Sequence, residues 1–269
     1  MELIKAILLG GVQGLTEFLP VSSSGHLVIG AQILDFHDPG IAFEVFLHLG
    51  TLLAVIIAFY KDILLMIRAV FVAPAVRRAD PQLHQAFMWD IYIVTATVPA
   101  VFVGLLLKGS IEALFDNILV TYTMLAVTGT ILVLTRTIKA SDVRINGPRS
   151  LIIGCSQAMA ILPGLSRSGT TICTGMLLGV ERETAARFSF LMSIPAILGA
   201  GVLKLSELVA APPAREQIIA LGAGTITSAF SGYLAILWLM RFVRRGQLHW
   251  FGYYCYLVSA LGFLHYYMS

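Results

Sequence analysis

Two short stretches hold most of the side chains in this chain that could do chemistry. The first reads Gln13-Gly-Leu-Thr-Glu17-Phe-Leu-Pro20-Val-Ser22-Ser23-Ser24-Gly25-His26, and the second Leu162-Pro163-Gly164-Leu165-Ser166-Arg167-Ser168-Gly169-Thr170-Thr171. Arg167 offers a planar fork of donors that matches a phosphate group, Ser166, Ser168 and Thr171 add hydroxyls, and Gly164 and Gly169 allow the backbone to come close. A helix beginning near Ser168 would aim its free N–H groups at the same anion. Gln13 and Glu17 are four apart and project from one helix face. A carboxylate beside an amide carbonyl suits a hard divalent cation, with an interhelical hydrogen-bonding pair as the competing reading. Ser22, Ser23 and Ser24 precede an apolar run and suit a helix N-cap. A serine near His26 also suits nucleophilic or acid–base chemistry, and His26 is itself a nucleophile candidate. A structural ion pair between Arg167 and Glu17 competes with phosphate for the guanidinium. Glu44 and His48, also four apart at the start of a span, read as a packed or water-facing pair, with a cavity-lining pair as the competing reading.

The elements that position these groups are expected to be membrane helices. Hydrophobic residues make up 58% of the chain and charged residues 12%, which places it among polytopic α-helical membrane proteins. Short alternating segments of the kind a β-barrel needs do not occur. The first helix is not followed by a small-residue cleavage site after a basic segment, so it is expected to be retained rather than removed as a signal peptide. Cys155, Cys173 and Cys255 sit in apolar surroundings at uneven spacing and read as packing residues. Tyrosines and tryptophans near span ends, such as Trp89, Tyr92, Trp250 and Tyr253, fit an interfacial belt.

Six full spans are expected, at 41–60, 87–107, 118–134, 188–208, 218–240 and 250–268. Two further apolar regions, 1–34 and 151–180, are each cut near the middle by Pro, Gly and a serine cluster, leaving half-length helices on both sides. With one residue inserted after the proline, Ser22, Ser24 and Gly25 align with Ser166, Ser168 and Gly169, and Gln13 with Gln157. The chain therefore reads as a single membrane domain made of a duplicated unit, repeat one at 1–137 and repeat two at 150–269, each a broken re-entrant helix pair followed by three spans. An odd number of spans inverts the second unit relative to the first, and discontinuous helices meeting at the midplane of inverted repeats are a recurrent way to build a buried polar site.

Charge placement agrees with this topology. Lys61, Arg68, Arg77, Arg78, Arg136, Lys139, Arg144, Arg149, Arg182, Arg187, Arg241, Arg244 and Arg245 fall on one side, against Lys5, Lys108, Lys204 and Arg215 on the other. The positive-inside rule makes the first side cytoplasmic and leaves both termini outside. The sparse cations report orientation, and no nucleic-acid partner is implied.

The two motifs, in this order and over essentially the whole chain, resemble the signatures of the bacterial undecaprenyl-diphosphate phosphatases, the bacitracin-resistance membrane family. The resemblance implies a multi-pass protein of the bacterial plasma membrane that hydrolyses undecaprenyl diphosphate to the monophosphate and phosphate, and so recycles the cell-wall lipid carrier. It implies a divalent cation, magnesium or calcium, served by Glu17 with Gln13 at an E/Q-x-x-x-E motif. Ser23 and His26 are the implied nucleophile candidates, and Glu17, Ser23, His26 and Arg167 the implied catalytic set. Ser22, Ser24, Gly25, Ser166, Arg167, Ser168, Gly169 and Thr171 are the implied substrate-binding residues, the partners a long-chain isoprenyl diphosphate and the surrounding lipids, and a homo-oligomer is compatible with the chain. A polyprenyl-phosphate transporter or flippase of the same architecture is the alternative. Acid-phosphatase-like lipid phosphatases, which share a Ser-Gly-His element, require a histidine six places after the arginine, where this chain has Cys173.

Overall fold

The computed structural model describes residues 2–33, 40–115, 117–139, 141–210 and 215–268. The described residues form helices joined by turns and short irregular segments, and the β structure among them is an isolated bridge between Val143 and Val180. In order the helices are α1 (Glu2–Phe18), α2 (Ser23–Ile33), α3 (Gly40–Ala58), α4 (Tyr60–Phe71), α5 (Pro74–Ala79), α6 (Pro81–Leu106), α7 (Lys108–Phe115), α8 (Ile118–Leu134), α9 (Gly147–Met159), α10 (Arg167–Leu177), α11 (Arg182–Ala210), α12 (Arg215–Arg244) and α13 (His249–Met268).

Local sequence explains where many of them begin. Asp80 caps α6 by accepting from the N–H groups of Gln82 and Leu83, with Pro81 at the first helical position, where a missing N–H costs nothing. Asn117 caps α8 and Asn146 caps α9 in the same way. Both serine-containing breaks end helices as expected: α1 stops before Pro20 and α2 starts at Ser23, whereas α9 stops before Pro163 and α10 starts at Arg167.

Among the described residues four helices are long and apolar enough to cross a membrane, within α6, α8, α11 and α12. The chain is a multi-pass membrane protein. Outward-facing Phe71, Leu106, Ile226 and Phe230 are largely exposed on the protein surface, as lipid-facing side chains are. Two expected spans differ from these four. The segment expected at 41–60 is α3, and the chain then bends by 81° into α4, so α3 and α4 do not continue one straight helix. The segment expected at 250–268 is the 20-residue α13, which has the length of a span but is rich in tyrosine, with histidines at both ends, and so is less apolar than the other four.

Helices approach closely where residues are small. α1 packs along α12, where a Cβ on Gly10 would lie 2.4 Å from the Gly224 carbonyl oxygen and one on Gly14 2.4 Å from that of Ser228. α9 packs on α6 through Gly154, whose Cβ would lie 2.3 Å from the Ala96 carbonyl oxygen. Gly154→Ala is therefore expected to destabilise the detergent-solubilised protein by about 1–3 kcal/mol through forced separation of α6 and α9. Gly104→Ala, which meets open space inside α6, is expected to stabilise it slightly, by up to ~1 kcal/mol. Thermal melting of the two variants against wild type checks both signs.

The core lies beneath the breaks. Phe18, the last residue of α1, is fully buried and meets Phe190 of α11 edge-on at 5.7 Å, with Leu191 and Met192 buried around it. This anchor determines where Glu17, one residue earlier, leaves the helix.

Candidate active site

The two breaks meet. A Cβ on Gly25 would lie 3.7 Å from the Cα of Gly164, and one on Gly169 would lie 3.2 Å from Pro20, so the first turn of each short helix rests on the other break. Gly164 itself has φ +89°, in the left-handed region open to glycine, and a side chain there would meet the Thr121 carbonyl at 2.2 Å. The N-termini of α2 and α10 consequently converge on one place, and the positive ends of both helices favour an anion there.

Glu17 is the hub. Its Oε1 accepts from Arg167 Nη2 at 2.5 Å, the pairing that competes with phosphate for the guanidinium. Its Oε2 accepts from Ser23 Oγ at 2.6 Å and from Gln13 Nε2 at 3.1 Å. Three residues, the farthest of them 150 positions from Glu17, thus meet on one carboxylate. Two valences remain open beside it. Arg167 Nη1 and Gln13 Oε1 are buried and have no hydrogen-bond partner within the protein, which is costly unless a ligand answers them. A cationic donor calls for an anion, and an amide carbonyl beside a carboxylate calls for a donor or a hard cation. The donor set therefore fits a divalent ion held by Glu17 and Gln13. The described residues contain no group of three or more His, Cys, Asp and Glu side chains suited to a metal, so substrate oxygens would have to complete its shell.

The other expected residues are brought to the same place with different tasks. Ser166 Oγ caps α10 by accepting from Gly169 N at 3.1 Å and lies 3.3 Å from Ser168 Oγ. Ser168 Oγ is 3.4 Å from the Leu19 carbonyl, and Thr171 Oγ1 donates to the Arg167 carbonyl at 2.8 Å and lies 2.6 Å from Ser189 Oγ. Ser22 Oγ accepts from Gly25 N at 3.4 Å and lies 3.2 Å from Ser24 Oγ. Most of these hydroxyls are spent within their own break or on α11, and the Ser168 hydroxyl reaches across to the first break, which leaves Arg167 Nη1 as the unanswered donor. His26 turns away from Glu17: its Nδ1 lies 2.8 Å from the Ser22 carbonyl and its Nε2 2.8 Å from the Tyr254 hydroxyl.

Sequence reasoning missed Thr128 and Tyr254. Thr128 Oγ1 donates to the Gly164 carbonyl and accepts from Ser166 N, both at 3.0 Å, and so bolts the second break to α8. Neither residue carries a local signal, because each partner lies 36 or more positions away in sequence.

A cavity of about 280 Å³ opens at Ser23 and Ser24 and continues along Leu9, Leu27, Val28, Phe43 and Phe115. Glu44 and His48 line its other wall, so they face the site's cavity. A larger cavity, about 400 Å³, between Asp62, Trp89, Glu183 and Arg187 includes none of the motif residues.

Known proteins agree with the two-motif reading. The chain is 41% identical over 277 residues to an undecaprenyl-diphosphatase of Methanobrevibacter smithii, with 98% of each chain covered. It is 42% identical over 269 residues to one of Rubrobacter xylanophilus and 42% identical over 266 residues to one of Moorella thermoacetica, with 97% of each chain covered. A family model described as bacitracin resistance protein BacA matches residues 6–261, and the chain belongs to that family.

Proposed function

We propose that this protein is an integral membrane phosphatase that hydrolyses undecaprenyl diphosphate to undecaprenyl phosphate and phosphate, recycling the cell-wall lipid carrier. The observation that carries the reading is Ser23 Oγ donating to Glu17 while Arg167, held on the same carboxylate, keeps a buried Nη1 without an acceptor. A hydroxyl on a base beside a guanidinium with an open donor is a phosphoryl-transfer arrangement, and a carrier would need only the binding half. The cavity supports a lipid substrate, since Leu9, Leu27, Val28, Phe43 and Phe115 line an apolar part beside the polar Ser23, Ser24, Glu44 and His48.

In the proposed reaction the diphosphate lies between the α2 and α10 N-termini, with Arg167 Nη1 on a terminal phosphate oxygen. Ser23 Oγ attacks the terminal phosphorus as Glu17 takes its proton. The Oγ–P bond forms, the bond from that phosphorus to the bridging oxygen breaks, and the electron pair leaves with the lipid monophosphate. Water then attacks the phosphoserine phosphorus, the Oγ–P bond breaks with its electron pair going to Ser23 Oγ, Glu17 returns its proton to that oxygen, and phosphate leaves carrying the protons of the water. Positioning and charge neutralisation supply most of the rate in such transfers. A divalent cation, magnesium or calcium, would be held by Glu17 and Gln13 and would neutralise the charge of the diphosphate oxygens.

The inverted-repeat topology, with repeats at 1–137 and 150–269, both termini outside and the chain in the bacterial plasma membrane, belongs to the same proposal. Reciprocal packing supports it: α1 rests on α12 of the second unit and α9 on α6 of the first, with Gly10 and Gly154 at aligned positions. So does the segregation of cations to one side.

The test is phosphate release by the purified protein from a long-chain isoprenyl diphosphate in detergent. Release is expected with magnesium or calcium and is expected to fall to background with excess chelator, recovering when the cation is restored. No cation-dependent release would overturn the enzymatic reading.

A further inference from the structure

α13 meets the first break from behind through two adjacent residues. Cys255 Sγ lies 3.8 Å from the Pro20 carbonyl, and the Tyr254 hydroxyl lies 2.8 Å from His26 Nε2. His26 in turn reaches Ser22 through Nδ1, 2.8 Å from the Ser22 carbonyl. A carbonyl can only accept, so Nδ1 carries a proton. In the neutral ring Nε2 then holds the lone pair and accepts from the phenol. The two rings are nearly parallel, at 13°, with centroids 5.6 Å apart. Both ring nitrogens of His26 are thus engaged, and neither is paired with Ser23 or Glu17.

Ser22, which receives this strut, is the one non-glycine among the described residues with a positive φ, 70°. A residue with a Cβ takes that conformation only when its surroundings hold it there. The Ser22 backbone sets where α2 begins, and Ser23 is its first residue. The position of Ser23 Oγ on Glu17 therefore depends on Ser22 staying left-handed.

We propose that Tyr254 is a positioning residue for Ser23. Its hydroxyl holds His26 as a strut against the Ser22 carbonyl, the strut keeps Ser22 in the left-handed conformation, and the resulting turn places the Ser23 hydroxyl on Glu17. The proposal rests on the reading of Ser23 as nucleophile, but its structural part stands independently of that reading.

Tyr254→Phe removes one oxygen from a side chain that is 43% exposed, so packing is left intact. It is expected to lower kcat for phosphate release about 10–100-fold with KM within about twofold, because Tyr254 orients the nucleophile and does not hold substrate. Ser22→Gly supplies the discriminating variant, since glycine takes φ 70° without a strut and is tolerated at an N-cap. In the Ser22→Gly background, Tyr254→Phe is expected to change kcat less than about threefold. A second readout is independent of turnover. In the ¹⁵N spectrum of histidine-labelled protein, assigned with His26→Gln, His26 is expected as the Nδ1–H tautomer with a hydrogen-bonded Nε2, and Tyr254→Phe is expected to shift Nε2 alone toward a free lone pair. A wild-type kcat in Tyr254→Phe, a loss that Ser22→Gly does not relieve, or an Nε2–H tautomer in wild type would each overturn the proposal. If wild type released no phosphate yet the ¹⁵N pattern appeared, the phosphatase reading would fail and the Tyr254–His26–Ser22 strut would stand, leaving the assignment to Ser23 overturned.

Discussion

Ser23→Ala is expected to lower phosphate release by roughly 10³–10⁶-fold, the range seen when a covalent nucleophile is removed while binding and charge stabilisation remain. The folded protein should survive the change, because Ser23 sits at the helix start and the cap is made by Ser22. The hydrogen bond from Ser23 to Glu17 Oε2 is lost, but Gln13 Nε2 and Arg167 Nη2 still donate to that carboxylate. Melting should therefore move by no more than a few degrees, corresponding to about 1 kcal/mol. Rapid acid quench of wild type with terminally labelled substrate is expected to trap a phosphoryl adduct that survives acid and is cleaved by alkali, as a phosphoserine is. An acid-labile, alkali-stable adduct retained in Ser23→Ala would transfer the role to a histidine and overturn the assignment.

The second large effect concerns the Arg167–Glu17 pair, for which a structural role and a catalytic role compete. Arg167→Met leaves Glu17, with an 8% exposed side chain, as a buried carboxylate without its cation, and is expected to cost about 3–5 kcal/mol of stability together with nearly all activity. Combining it with Glu17→Gln removes both charges. The double variant is expected to recover most of the lost melting temperature, since a neutral pair of similar size replaces a buried ion pair at little net cost. Activity is expected to stay at background in the double variant, because the donor facing phosphate and the base on Ser23 are both gone. Recovery of turnover with stability would make the pair purely structural. A single variant with normal turnover would remove Arg167 from the site altogether.

Glu17 can serve both pairings because its two oxygens face different ways. Oε1 is committed to the second break through Arg167, and Oε2 to the first through Ser23 and Gln13. In the proposed reaction a diphosphate would bring the negative charge that Arg167 Nη1 lacks, and so would add to the pairing without having to displace Glu17.

Much of this protein was legible before any tertiary contact was known. The low charge content and long apolar runs required membrane helices, since a backbone in hydrocarbon must satisfy its own hydrogen bonds. Pro20 and Pro163 with their serine clusters required the two broken helices, because proline cannot continue the ladder and serine caps the helix beyond the break. The internal similarity of the two motifs pointed to their meeting. All of these are properties of near neighbours in sequence. Tertiary structure alone decided which atoms pair: that Glu17 is shared between Ser23 and Arg167, that Ser166, Ser168 and Thr171 spend their hydroxyls on holding the breaks, and that His26 faces Tyr254. Each of those outcomes depends on helix packing between residues up to 228 positions apart, set by contacts such as Gly10 on Gly224 and Gly25 beside Gly164, for which spacing and hydropathy carry no information.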